Sequence, residues 1–365
     1  MSSIPPGLSF ETRTEWLRGE GRASDVVMSS RVRLARNLAG CPFPHRATRV
    51  HRQASLLHCR RAIIAAGISP VLLWVDLHEA TPLERTLLVE RHLISKHHSK
   101  SRPSGGPPGP GPDDPRGVAI SLPDERTSIM VNEEDHLRMQ VIRTGLALSE
   151  CWSEIDDLDN RLEGALPYAY SPRFGYLTAC PTNVGTGLRM SVMLHLPGLR
   201  LTGDIERVKR AATDMNLAVR GFYGEGSEAA GDFYQISNQT TLGKSERQVL
   251  EELEAQIIPK VVEYERVARR SIATKRLAAV EDQIFRALGI LTNARLVSAE
   301  EAMQLLSHLR LGAVLGIIKN LDQSVVNHLM LLVQPAHLQR VLGREMDQDQ
   351  RRSARADLLR ARLVR

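Results

Sequence analysis

The sequence predicts an α+β chain whose first part mixes strands with helices and whose last third is helical. Three observations carry this. Between Asp25 and Pro259, short apolar runs such as PVLLWVDL, GVAISL and TSIMV have the length of strands, and helically spaced stretches lie between them. Beyond Gln256 the strand signals vanish, and apolar residues recur with helical spacing, as at Leu305, Leu309, Val314, Leu315 and Ile318. The composition is globular: 365 residues, 42% hydrophobic and 25% charged, are enough for a sizeable core and two or three structural units. Aromatics make up only 4%, so Leu, Val, Ile and Ala must build that core, and base-stacking platforms are disfavoured.

Residues 1–24 are polar and rich in Pro and Gly, and read as an arm with at most one or two helical turns around Phe10 to Leu17. Residues 25–259 read as one mixed domain. Its first strand lies in VVMSSRVRLARNLAG, which CPFPHR interrupts with two prolines; Gln53 to Ala66 has helical spacing. Residues 100–117 contain SRPSGGPPGPGPDDPR, which cannot hold a helix or a central strand. This stretch is expected to be a flexible surface loop inside the domain, because strand-like segments resume directly after it. Residues 260–365 form a second, helical domain that ends in the arginine-rich MDQDQRRSARADLLRARLVR.

With 48 Lys and Arg against 42 Asp and Glu, the net charge is +6, so anions are favoured partners. Cys41, Cys59, Cys151 and Cys180 form no CxxC pair, which argues against a zinc site or a disulfide framework and fits a reducing cytoplasm. The N-terminus lacks a signal-peptide pattern and no long apolar run occurs, so a soluble cytoplasmic protein without membrane contact is expected. LGKS at Leu242 to Ser245 fails as a P-loop because Asn238 stands where glycine is required. Gly224, Gly226 and Gly231 do not match GxGxxG. Twelve histidines show no HExxH, so no metal cage is expected; nor is there a helix-turn-helix or zinc-finger signature, so direct nucleic-acid binding is not expected.

The positive signal is a set of arginines in apolar or glycine-rich surroundings: Arg31, Arg33, Arg138, Arg189 and Arg220. Arg31 and Arg33 on one strand would share a face. Several guanidinium forks converging on one cavity suit a polyanion such as a triphosphate. Any one of them taken alone is more often a solvated strand-end residue. Likewise the triplet Glu133, Glu134, Asp135 reads either as a helix N-terminal cap or as a carboxylate facing a cavity. Glu225 sits in a glycine-lined loop where backbone could approach a ligand closely.

SSRVRLARN, VNEEDHLR, YLTACPTNVGTGLR, VRGFYGEGSEA and QISNQTTLGKSE, in this order from about Asp25 to Glu246, closely resemble the bacterial protein arginine kinases of the McsB type, relatives of the phosphagen (guanidino) kinases. The resemblance implies a core built on an antiparallel sheet flanked by helices, and ATP with Mg²⁺ as cofactors. It places the ATP contacts on Ser29, Ser30, Arg31, Val32 and Arg33, on His92 and Arg138, on Arg189, Met190, Ser191, Val192 and Met193, and on Arg220, Gly221, Phe222, Tyr223 and Gly224. Glu134 falls on the family's catalytic base, Glu225 on its second guanidinium-binding carboxylate, and Cys180 on its active-site cysteine.

Chemistry agrees with this assignment. A guanidinium stays protonated to a pH of ~12.5 or above, so attack on a γ-phosphoryl group needs carboxylates that orient it and accept a proton. The resemblance further implies a phosphoarginine-binding C-terminal domain with an RDxxRA motif. Here Arg351 and Arg355 keep the motif's arginines, but Arg352 replaces its aspartate, so weak or absent activation by phosphoarginine is expected. The implied setting is protein quality control. Its partners would be protein substrates with exposed arginines, a zinc-binding activator protein, a Clp-type protease and a heat-shock repressor, with the chain itself a homodimer. Kinases of small free guanidines share the core but carry a helical domain before it. Only 28 residues precede Ser29 here, so an open site for a protein substrate is expected. A non-catalytic phosphoarginine-binding regulator would not be expected to keep Glu134, Glu225, Cys180 and every phosphate-facing arginine together.

Overall fold

A computed structural model describes residues 14–100, 111, 113–221 and 230–364 of the chain. Most of the Pro/Gly-rich stretch at 100–117 thus lies outside the described residues. In chain order the sheet region holds β1 (Val27–Arg36), α1 (Arg49–Ala65), β2 (Val71–Asp76), α2 (Pro82–Glu90), α3 (Lys96–Ser99), β3 (Gly117–Leu122), β4 (Thr127–Val131), β5 (Leu137–Thr144) and α4 (Leu148–Glu163). It continues through the small β6 (Tyr170–Ser171) and β7 (Gly175–Tyr176) pair to β8 (Leu188–His195), α5 (Pro197–Thr202), α6 (Ile205–Asp214), β9 (Leu217–Arg220) and β10 (Phe233–Asn238). Helices follow: α7 (Glu246–Glu251), α8 (Ile258–Lys275), α9 (Leu277–Asn293), α10 (Ala299–Val314), α11 (Gln323–Leu332), α12 (Pro335–Leu342) and α13 (Gln348–Leu363).

Eight strands form one sheet in the order β2-β3-β4-β5-β1-β8-β10-β9, and each neighbouring pair is antiparallel. Period-two alternation gives the sheet two different faces. Val32, Leu34, Met139, Val141, Met190, Val192 and Ile236 form the apolar face, covered by Leu56 and Ile63 of α1 and by Ile155 and Leu158 of α4. The intervening residues point the other way. Toward one end of that second face, Ile142, Met193 and Phe233 join Trp16, Leu17 and the C-terminal helices in a separate core that includes Leu306, Leu309, Met330 and Leu359. The remainder of the face is polar and stays open.

Two local expectations change. The arm's described end, from Thr14, is a strap: Trp16 and Leu17 are buried between sheet and helices, because two large apolar side chains outweigh the polar character of their surroundings. The Glu133–Asp135 triplet begins no helix. It sits in the tight turn of the β4–β5 hairpin, where Asn132 takes a left-handed φ of 59° and its N–H bonds the His136 carbonyl. LGKS also finds a plain role: Ser245 caps α7 through a capping box with Gln248. Among the described residues no helix is long and apolar enough to cross a membrane.

Candidate active site

The register of the sheet gathers arginines that are far apart in sequence. Arg33 lies opposite Arg189 on one side and Gln140 on the other; Ala35 lies opposite Arg138, Arg31 opposite Ser191, and Gln235 opposite Arg220. Directly paired residues share a face, so all five arginines project from the open polar face. They line a cleft of about 540 Å³ together with His92, Glu133, Glu134, Cys180 and Gln235. Their crowding is electrostatically costly. Burial, then Arg220, brings Arg31 down to about 10; burial, then Arg31, Arg189 and Arg138, lowers Arg33 well below the usual range. Burial and the Arg31 and Arg33 charges push His92 down to about 3, so its ring is neutral at physiological pH. A concave surface this rich in cations fits a polyanion.

The acidic hairpin is locked from behind. Asn132 is buried and donates to the carbonyls of Arg52 (2.8 Å) and Pro115 (2.9 Å), while Ser55 donates to its Oδ1 (2.9 Å). Asp135 Oδ1 accepts from Asn37 Nδ2 (2.6 Å) and from the Ala179 N–H (2.7 Å), which ties the hairpin to the segment carrying Cys180. Glu133 is 2% exposed and accepts from Ser95 Oγ (2.6 Å), Arg138 Nη1 (2.7 Å) and the Glu134 N–H (3.0 Å). Its burial favours the neutral acid, but Arg138, His98 and the Ser95 hydroxyl outweigh that and hold the carboxyl at about 2. Glu134 differs: its side chain is 39% exposed, and its carboxylate accepts from Arg138 Nη2 (2.6 Å). Burial opposes the charge on Arg138, yet Glu133, Glu134 and Asp135 together raise it further above its ordinary value.

Cys180 follows the anchored Ala179 and is partly exposed in the cleft, with Sγ 3.0 Å from Thr182 Oγ1. Cys59 and Cys151 are buried, and burial pushes both thiols up, Cys59 to about 12.

Other expected site residues are distributed by alternation. Ser29, Ser191 and Met193 line a small hollow beside the cleft with Trp16 and His92. Ser30, Val32, Met190 and Val192 turn to the opposite, buried face, where Ser30 Oγ donates to the Gly145 carbonyl and accepts from the Ala147 N–H. Their side chains therefore hold the strands in place and do not reach the cleft. Gly221 is buried; Phe222, Tyr223, Gly224 and Glu225 lie outside the described residues. Arg351 and Arg355 are on α13, in the C-terminal helical region. Arg351 donates to the Met346 carbonyl, and Arg355, 3% exposed, donates to the carbonyls of Val333, Val297 and Arg351. Burial brings Arg355 down to about 10.

The cleft also has lining that the arginine pattern does not reveal: Ser95, Lys96, His97 and Gln235. Polar alternation in FYQISN, with Gln235 and Ser237 flanking Ile236, is the signal that marks Gln235. The SKHHSK run carries no comparable mark. Among the described residues, no group of three or more His, Cys, Asp or Glu could hold a metal ion.

Comparison with known proteins supplies the context. Residues 70–268 match the family described as ATP:guanido phosphotransferase, C-terminal catalytic domain, and residues 277–365 match the protein-arginine kinase McsB C-terminal domain. The chain is 46% identical to a protein-arginine kinase of Symbiobacterium thermophilum, over 98% of each chain, and 44% identical to one of Moorella thermoacetica, over 98% of this chain and 99% of that one. Among solved structures, a lombricine kinase superposes with a TM-score of 0.57 at 26% identity, covering 74% of this chain and 73% of that one.

Proposed function

Because the chain belongs to the protein-arginine kinase family, we propose that it transfers the γ-phosphoryl group of ATP to arginine side chains of proteins. One observation carries the reading: five arginines, an acidic hairpin and Cys180 line a single cleft. The arginine face receives the triphosphate, because fixed guanidinium forks match phosphate oxygens and stabilise the charge that spreads over the transferring group. The substrate guanidinium enters on the side of Glu134 and Cys180. Its nitrogen forms the N–P bond as the γ-phosphorus separates from the bridging oxygen, which keeps the electron pair and leaves with ADP. Glu134 takes the proton that the nitrogen must release. Glu133 is a poor base, since it is buried, fully engaged and held at about 2. Glu225 joins the proposal as the second carboxylate, on the strength of the resemblance.

Mg²⁺ belongs to the same proposal. Bound Mg²⁺ would be held mainly by the nucleotide phosphates, with water filling its remaining positions. When bound, the ion neutralises phosphate charge.

The test is to incubate the purified chain with ATP, Mg²⁺ and casein or with free arginine, and to locate acid-labile phosphate by mass spectrometry. Phosphate on casein arginines is expected. Transfer to free arginine alone would make it a small-guanidine kinase; transfer to neither would refute kinase function. A place in quality control, a homodimeric state, and the activator, Clp-type protease and repressor partners are proposed on the resemblance alone.

A further inference from the structure

The helical region docks α12 on the C-terminal end of α2 through a cluster of buried polar groups that catalysis as described leaves unused. Ala336 of α12 packs with Leu87, Leu88, Leu93 and Ile94 in a small apolar core. At that contact Glu90 accepts from the backbone N–H groups of Ala336 (2.9 Å) and His337 (3.0 Å), so a side chain of α2 caps the start of α12. Arg91 donates twice to Glu125 (2.7 and 2.8 Å) and, through Nη1, to His337 Nε2 (3.2 Å); all four side chains are buried. A guanidinium has no acceptor, so Nε2 must accept; burial and the Arg91 charge keep the ring neutral. The ring proton is therefore on Nδ1, which donates to Glu90 Oε2 (2.8 Å).

The cluster meets the cleft at the next residue. After α2 the His92 N–H bonds the Val89 carbonyl (3.0 Å) and the Leu93 N–H bonds the Leu88 carbonyl (2.9 Å), a helix ending that puts His92 in the left-handed region with a φ of 60°. Glycine is usual at that position, and a larger residue persists there only where its surroundings over-determine it. Here they do. Arg91 is clamped just before His92, Ser95 Oγ holds Glu133 just after it, Gln140 Nε2 donates to the His92 carbonyl, and the Trp16 ring meets the imidazole edge-on, 4.8 Å between centroids. His92 lines the cleft together with Arg31 and Arg33. We propose that Glu90 and His337 are positioning residues, through which α12 fixes His92 against the bound nucleotide. This rests on the role proposed above for the arginine face.

His337→Ala removes the ring that joins Glu90 to Arg91. ATP affinity, measured by calorimetry on the full chain, is expected to fall about 3- to 10-fold, the scale of one lost or misplaced contact. His92→Ala should weaken it at least as much. A double-mutant cycle separates positioning from general damage: in the His92→Ala background, His337→Ala should change affinity by less than about twofold. Glu90→Gln leaves at least one of three donors without an acceptor; it should follow the same pattern and serves if His337→Ala folds poorly. Unchanged affinity in His337→Ala or in His92→Ala, or an equal loss in both backgrounds, would each overturn the inference. A wild type that does not bind ATP refutes it together with the nucleotide reading of the arginine face. One that binds ATP but phosphorylates free arginine alone refutes only the protein-substrate reading, and the affinity ratios still decide this inference by themselves.

Discussion

Glu133 and Glu134 are adjacent in sequence, yet the hairpin gives them opposite environments, and their amide variants should fail in opposite ways. A Glu carboxyl held at about 2 instead of the ordinary 4.5 corresponds to roughly 3 kcal/mol of stability at neutral pH. Because the folded-state value is depressed, that stability is complete above pH 4.5 and is lost as pH falls from there through 2. Glu133→Gln should therefore lower unfolding stability by up to about 3 kcal/mol at pH 7 and by about half as much at pH 3. Glu134, more than a third exposed with a single ion pair to Arg138, should change stability by less than about 1 kcal/mol as Gln. Its rate should fall instead, by about 10²- to 10⁴-fold, because an amide cannot accept the guanidinium proton. Urea denaturation at pH 7 and pH 3, with phosphoryl transfer measured on the same preparations, tests both. A Glu133→Gln deficit equal at the two pH values would show that charge is not what Glu133 contributes. Glu134→Gln activity above about a tenth of wild type would remove Glu134 as the base.

Arg189→Ala and Arg220→Ala should each weaken ATP binding by roughly 10- to 100-fold, with Lys recovering only part; calorimetric affinity unchanged in both would assign these arginines to structure. In a Cys41→Ser background, alkylation should fall on Cys180, inhibit transfer and be slowed by ATP, since Cys59 and Cys151 are buried; mass-spectrometric labelling of a buried thiol first would contradict this. Arg355→Ala should destabilise the helical region by about 2–3 kcal/mol, because it strips donors from two buried carbonyls, those of Val333 and Val297, and from the partly buried Arg351 carbonyl. Phosphoarginine should activate the unmodified chain weakly and Arg352→Asp should strengthen the response; strong activation without the aspartate, lost on Arg351→Ala, would refute that.

The polar face of the sheet was legible because alternation is local: Arg31 and Arg33, or Gln235 and Ser237, declare a shared face within three residues. Which strand lies beside which was not, since β1 pairs with β5 and β8, and nothing within VMSSRVRLAR specifies partners more than a hundred residues away. The acidic triplet was ambiguous in principle, because carboxylates suit a helix start as well as a hairpin. The left-handed Asn132 and the clamp from Arg52, Ser55 and Pro115 decided it, and those contacts are tertiary. Trp16 and Leu17 show the same limit, since their burial depends on α10 to α13 being present.

The central position of β1 has a consequence during synthesis. Its edges pair with β5 and β8, so after Arg36 emerges, the second edge has no partner until Leu188 is made, roughly 8–30 s later at ordinary elongation rates. Over that interval VMSSRVRLAR is a strand with one apolar face and an unpaired edge, the kind of segment that recruits other nascent chains. Arg31, Arg33 and Arg36 interrupt its hydrophobic run with charge. The two arginines proposed to receive the phosphates thus also put charge on their own strand while it waits.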